Sequence, residues 1–120
     1  MRLTALVAAL IATSASAVSA HAAAGFDGRW SVSIVTETGD CDRGYRYDIR
    51  IENGRLRYDG DGSFEFSGKV MPNGAVSVAV SKGSRSASGR GRLTARAGSG
   101  TWRGRASGGD CAGRWVAERR

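Results

Sequence analysis

Arginine is the residue type through which this chain could most directly act on a partner. Its 120 residues carry 18 Lys+Arg against 11 Asp+Glu, a formal net charge of +7. The charge is segregated. Residues 25–82 hold 8 basic and 9 acidic side chains, whereas residues 83–120 hold 9 Arg and 2 acids. Within the second stretch Arg90, Arg92 and Arg96, then Arg103 and Arg105, fall on alternating positions. A guanidinium fork matches phosphate and carboxylate, and a row of them attracts anionic polymers such as an envelope or extracellular component. These five residues are the candidate polyanion site. The plainer role for the same residues is a solubilising surface. No aromatic residue is interleaved with them, so there is no stacking platform for single-stranded nucleic acid, and no specific nucleic-acid readout is expected.

Other chemistry is poorly supplied. The one His, His21, stands near the start, so a Ser–His–Asp site has no usable base and a His-rich metal site has no second ligand. Asp48 and Asp59 would face each other across a hairpin, but paired carboxylates need a cleft and one raised pKa to cleave glycosides. Surface ion pairs are the simpler account of that hairpin. The acidic stretches Glu37 to Asp42 and Asp59 to Gly62 lack the spacing of a calcium loop. Gly89-Arg90-Gly91-Arg92 has neither the Lys-Ser/Thr nor the following helix of a phosphate loop. No catalytic residues and no metal ligands are assigned, no cofactor is expected, and the chain is read as a non-enzymatic binding protein.

The elements that would position the Arg set are strands. Apolar residues alternate with period two nearly everywhere. Tyr45, Tyr47, Ile49 and Ile51 alternate with polar residues, Asn53-Gly54 follows, and Leu56 and Tyr58 resume the alternation. Asn-Gly between alternating runs signals a two-residue hairpin, pairing Ile51 with Leu56 and Ile49 with Tyr58. Further strands are expected over 28–37, 63–70, 75–82, 84–96, from Trp102 and from Cys111, with turns at 71–74, 97–100 and 107–110. Eight short strands in a consecutive meander predict an all-β, antiparallel up-and-down barrel, closed so that no edge is left bare. Strands 6 to 8 turn mostly Gly and Ala inward and strands 1, 2 and 4 turn large residues inward. Large facing small predicts a mostly filled interior.

The first 24 residues read as a signal peptide: Met1-Arg2, the apolar run Leu3 to Ala12, then small residues, with the cut placed between 20 and 24. The run is too short for a membrane helix and no later stretch is longer, so no membrane span is expected. Residues 25–120 then form a single domain, secreted or periplasmic. In such a compartment Cys41 and Cys111 can pair. In an eight-strand meander the loop after strand 1 and the start of strand 8 lie at one end of neighbouring strands. The Cys41–Cys111 disulfide is therefore a geometric prediction of the closed barrel.

Gly28-Arg29-Trp30 resembles the Gly-x-Trp opening of lipocalin-like and avidin-like barrels. The chain more closely resembles small secreted bacterial β-barrel proteins of uncharacterised function. It shares with them the Phe26 to Trp30 opening, the Asp40-Cys41-Asp42 segment and the ending from Gly100 to Trp115. The resemblance implies a secreted barrel and carries over no catalytic residues. Proteins of this kind are sometimes labelled for haem utilisation or adhesion. Haem finds few ligands here, because the Cys are expected to pair, Met71 sits in a turn, and only Tyr45, Tyr47 and Tyr58 remain. Those three read as core.

The sequence thus leads to a binding protein whose Arg face meets an anionic polymer. The alternatives are an inhibitor of a secreted enzyme, and a carrier of a small ligand inside the barrel, haem being the weaker candidate.

Overall fold

The computed structural model describes residues 25–60, 62 and 64–120, together with residues 4, 5, 8, 9 and 11. The expected signal peptide therefore lies almost wholly outside the described residues, as do Asp61 and Ser63. Eight antiparallel strands follow in order: β1 (Gly28–Thr38), β2 (Gly44–Glu52), β3 (Arg55–Tyr58), β4 (Glu65–Val70), β5 (Ala75–Lys82), β6 (Arg85–Leu93), β7 (Ala97–Ala106) and β8 (Gly109–Arg119). Each strand pairs with the next, and β8 pairs with β1 to close the barrel.

Local chemistry sets the register. Asn53 (φ 52°) and Gly54 (φ 76°) both take the positive φ that the β2–β3 turn needs. The turn places Ile51 opposite Leu56 and Ile49 opposite Tyr58, as the alternation predicts. The Asp27 carboxylate accepts the backbone N–H groups of Asn53 and Gly54, at 2.8 and 3.2 Å, and ties this hairpin to the start of β1.

One turn lies elsewhere than expected. Residues 97–100 are not a turn but the first residues of β7, with Gly98 opposite Leu93 and Gly100 opposite Gly91. The chain reverses over residues 94–96, where Thr94 donates its backbone N–H to the Ala97 carbonyl at 2.7 Å. Gly98 and Gly100 serve close approach instead. A Cβ on Gly100 would stand 2.1 Å from the Arg90 carbonyl and 2.6 Å from the Trp115 ring. Gly91 is equally constrained, against Ser99 and the same ring.

The two ends of the barrel differ. At one end lie the β2–β3, β4–β5 and β6–β7 turns. Here Trp30, Ile49, Ile51, Val70, Val76, Leu93, Trp115 and Ala117 form a buried core. Burying a large apolar side chain stabilises by about 1.5–3 kcal/mol, so this cluster is the main source of stability. Arg119 seals the same end. Its guanidinium donates to the carbonyls of Gly25, Asp27 and Ala95 and lies 5.4 Å from the centre of the Trp30 ring. The Trp30 indole N–H donates to the Phe26 carbonyl at 2.8 Å. This end is the floor.

At the other end, the mouth, lie the loops β1–β2, β3–β4, β5–β6 and β7–β8. The Cys41–Cys111 disulfide joins the first of these loops to the start of β8, with Cα atoms 6.1 Å apart. The fold and its staple thus match the expectation from the strand pattern. A formed disulfide belongs to an oxidising compartment. The weakest seam is β3–β4, where Arg55 and Lys69 are the only residues in ladder register among the described residues. No helix among the described residues is long and apolar enough to cross a membrane.

Candidate functional site

The barrel interior departs from the expectation of a mostly filled core. A cavity of about 700 Å³ runs from the mouth down to Ile51 and Trp115 at the floor. Its origin is asymmetric. On the β6–β8 wall, Ala87, Gly89, Gly104 and Ala106 project little or nothing inward, and the large residues of this wall, Trp102 and Trp115, are packed on glycine: a Cβ on Gly104 would stand 3.2 Å from the Trp102 ring and one on Gly100 2.6 Å from the Trp115 ring. On the opposite wall the rings lie against one another instead of reaching across. Tyr45 stacks on Tyr47 with centroids 5.9 Å apart, Tyr47 meets Tyr58 edge-on at 5.8 Å, and Tyr58 meets Phe64 at 4.6 Å. Large does face small, but the large side pairs with itself, and space is left between the walls.

The interior gradient of burial follows from this. Trp30 and Ile51 at the floor are 2% exposed. Val32, Ile34, Phe66, Val78 and Val80 point inward yet are only half-buried, because they face the cavity and not other side chains. Of the three tyrosines, Tyr47 and Tyr58 pack against the core cluster, as expected, and Tyr45 does not. Tyr47 and Tyr58 are half-buried in the cavity wall, and Tyr45 is exposed at the mouth. Burial raises the Tyr45 pKa above its ordinary value, and the Asp42 carboxylate beside it adds to the rise; Arg85 pulls weakly the other way. Tyr47 is raised by burial first and by Tyr45 and Tyr58 next. Both stay protonated at neutral pH and keep a hydroxyl donor at the upper wall.

The rim carries charge that alternation places inward. Lys82 continues the row of Val76, Val78 and Val80, and Arg85 begins the row of Ala87, Gly89 and Gly91. The two are directly opposed across the β5–β6 turn, and both line the cavity mouth. Neither has a carboxylate within ion-pair distance among the described residues. Asp40 and Asp42 occupy the β1–β2 side of the same rim. Lys82 and Arg85 were legible in the sequence from their parity alone, although the charge census draws attention to the outer face instead.

The five sequence-selected arginines are only partly brought together. Arg90 and Arg92 project outward from β6, and Arg103 and Arg105 outward from β7. Arg103 is paired with Ser88, which makes it a diagonal neighbour of Arg90. Arg105 is ion-paired with Asp110 at 3.3 Å. Arg96 is not on a strand. It sits in the β6–β7 turn at the floor, because β6 ends at Leu93 and the chain reverses earlier than expected. The central hairpin matches its expectation of surface ion pairs: Arg57 with Glu52, Asp59 with Arg29 and Asp48 with Arg120, all at 3.5–3.7 Å and exposed. Such pairs contribute at most about 1 kcal/mol each.

Among the described residues no cluster of three or more His, Cys, Asp or Glu is placed to hold a metal ion; Asp61 of the second acidic stretch lies outside them. Among the described residues, one buried side-chain polar atom has no partner, the Trp115 Nε1. It is packed beside Gly89 on the small-residue wall, a consequence of the ring lying flat on glycine backbone. No protein family, curated protein or solved structure matches the chain.

Proposed function

We propose that this protein is a secreted or periplasmic, non-enzymatic carrier that holds a small ligand inside its barrel. The observation that carries the proposal is the apolar cavity of about 700 Å³, open at the mouth and closed at the floor. Ligand cavities in proteins are typically about 300–1,000 Å³, largely apolar and lined with aromatic residues. An eight-strand barrel is wide enough for one small ligand once its interior is not packed with side chains. The resemblance of Gly28-Arg29-Trp30 to the opening of lipocalin-like barrels leads the same way.

The test uses N-phenyl-1-naphthylamine, an uncharged dye whose fluorescence rises in apolar surroundings. Residues 25–120 should bind it at one saturable site per chain. Replacing the small cavity-lining residues, Ala87→Trp and separately Ala106→Trp, should abolish the signal while the far-UV spectrum is kept. Absence of saturable binding, or binding indifferent to both substitutions, sinks the carrier proposal.

A second function is favoured by a separate observation. Arg90, Arg92 and Arg103 share the outer face of β6 and β7 without an ion pair among the described residues. They would give an anionic polymer an organised row of guanidinium groups. Replacement of these three by Ser should lower the salt concentration of elution from heparin more than loss of three distant arginines does. Equal shifts would reduce the outer face to solvation.

A further inference from the structure

The cavity has chemistry at its mouth that the carrier proposal does not use. Lys82 and Arg85 are opposed across the β5–β6 turn, on the inward face, directly above the apolar chamber. Like charges directly opposed on one face of a hairpin are destabilising. No carboxylate among the described residues lies within ion-pair distance of either. Period two puts both on the inward row, so their exposed side chains stand over the chamber mouth and not along the outer wall. One anionic group seated between them would offset the repulsion between these two exposed cations.

What lies beneath sets the rest of the ligand. The ring ladder Tyr45–Tyr47–Tyr58–Phe64 forms one wall, and Ala87, Gly89, Gly104 and Ala106 form the other. A flat or elongated apolar body fits between the tyrosine ladder and a wall of Gly and Ala on which the Trp102 and Trp115 rings are packed. Aromatic pairs contribute about 0.5–1.5 kcal/mol beyond area burial. The reach is measurable along β6: from Arg85 at the rim to Gly89 beside Trp115 is four residues, about 13 Å at strand rise. Asp40 and Asp42 stand on the β1–β2 side of the rim, so an anion is directed to the Lys82–Arg85 side and not to the centre of the mouth.

We infer that the ligand is an anionic amphiphile, its charged head held by Lys82 and Arg85 and its apolar body lying in the chamber against the tyrosine ladder. This rests on the carrier proposal.

Two dyes with the same body separate the inference from that proposal. N-phenyl-1-naphthylamine is uncharged, and 8-anilinonaphthalene-1-sulfonate adds one sulfonate to the same skeleton. The sulfonate should bind tighter by on the order of tenfold, the amount that two partly exposed cations can supply. Lys82→Ala with Arg85→Ala should remove that advantage, bringing the two dyes to the same affinity. Both residues are at the exposed rim, so the double variant tests charge without disturbing the core. Arg90→Ser, Arg92→Ser and Arg103→Ser together should leave the ratio as it was. If the two dyes bind alike, or if the ratio follows the outer arginines and not the rim pair, the anionic assignment is wrong while the carrier proposal stands. If neither dye binds, or if binding survives both Ala87→Trp and Ala106→Trp, the carrier proposal itself is wrong.

Discussion

At the residue scale the glycines separate by what surrounds them. Gly91 and Gly100 lie under the Trp115 ring, where a Cβ would meet backbone oxygen at 2.1 Å and ring carbon at 2.6 Å. Gly108, in the β7–β8 turn, has open space around it. Gly91→Ala or Gly100→Ala should therefore destabilise the fold by about 1–3 kcal/mol, the usual cost of overpacking. Gly108→Ala should change stability little. Urea unfolding of the three variants measures this, and equal midpoints would mean that Trp115 does not pack as described. The same pair marks a limit of the sequence. Ala97 to Gly100 carries turn composition, and its period-two continuity with Trp102 is the only signal that it is strand. Glycine used for close approach and glycine used for a turn look alike until the partner ring is known.

At the element scale the strands were legible because the inward rows are mostly apolar and the outward rows mostly polar, and because Asn53-Gly54 pins one register outright. Less visible was how unevenly the ladders are joined. β7 and β8 pair over ten residues, whereas β3 and β4 share one pair in register, Arg55 with Lys69. Four residues of β3 end at Tyr58 before β4 begins at Glu65. Above Arg55–Lys69 the seam is joined by packing and not by ladder pairs, with Leu56 beside Gly68 and the Tyr58 ring against Phe64. Amide hydrogen exchange should therefore be fastest, among strand residues, at 57–58 and 65–67, and slowest in β7 and β8. A uniformly protected β4 would show that the seam closes in solution. A ligand packed against Tyr58 should slow exchange there without altering β7.

At the scale of the whole molecule, closure and the staple followed from connectivity alone: a consecutive meander returns strand 8 to strand 1, and Cys41 and Cys111 then fall at one end. The cavity did not follow. It depends on whether Tyr45, Tyr47, Tyr58 and Phe64 span the interior or lie along their own wall, and side-chain alternation leaves both open. The bridge joins residues 70 apart, and closing so long a loop stabilises by about 4 kcal/mol on the chain-entropy account. Reduction, or Cys41→Ser with Cys111→Ser, should lower unfolding stability by about that amount. A loss below about 1 kcal/mol would mean that the floor core alone holds the barrel. The floor has one more consequence. The Gly25 carbonyl accepts a hydrogen bond from Arg119, and the Arg120 N–H donates to the Arg29 carbonyl at 2.9 Å. Both ends of the barrel chain therefore emerge together on the side facing away from the mouth. A bead, a surface or a fused domain attached at either end would hold the molecule like a cup by its base, with its opening turned to the medium. The same proximity would let a short peptide join residues 25 and 120, so that new ends could be cut at Gly83 in the β5–β6 turn.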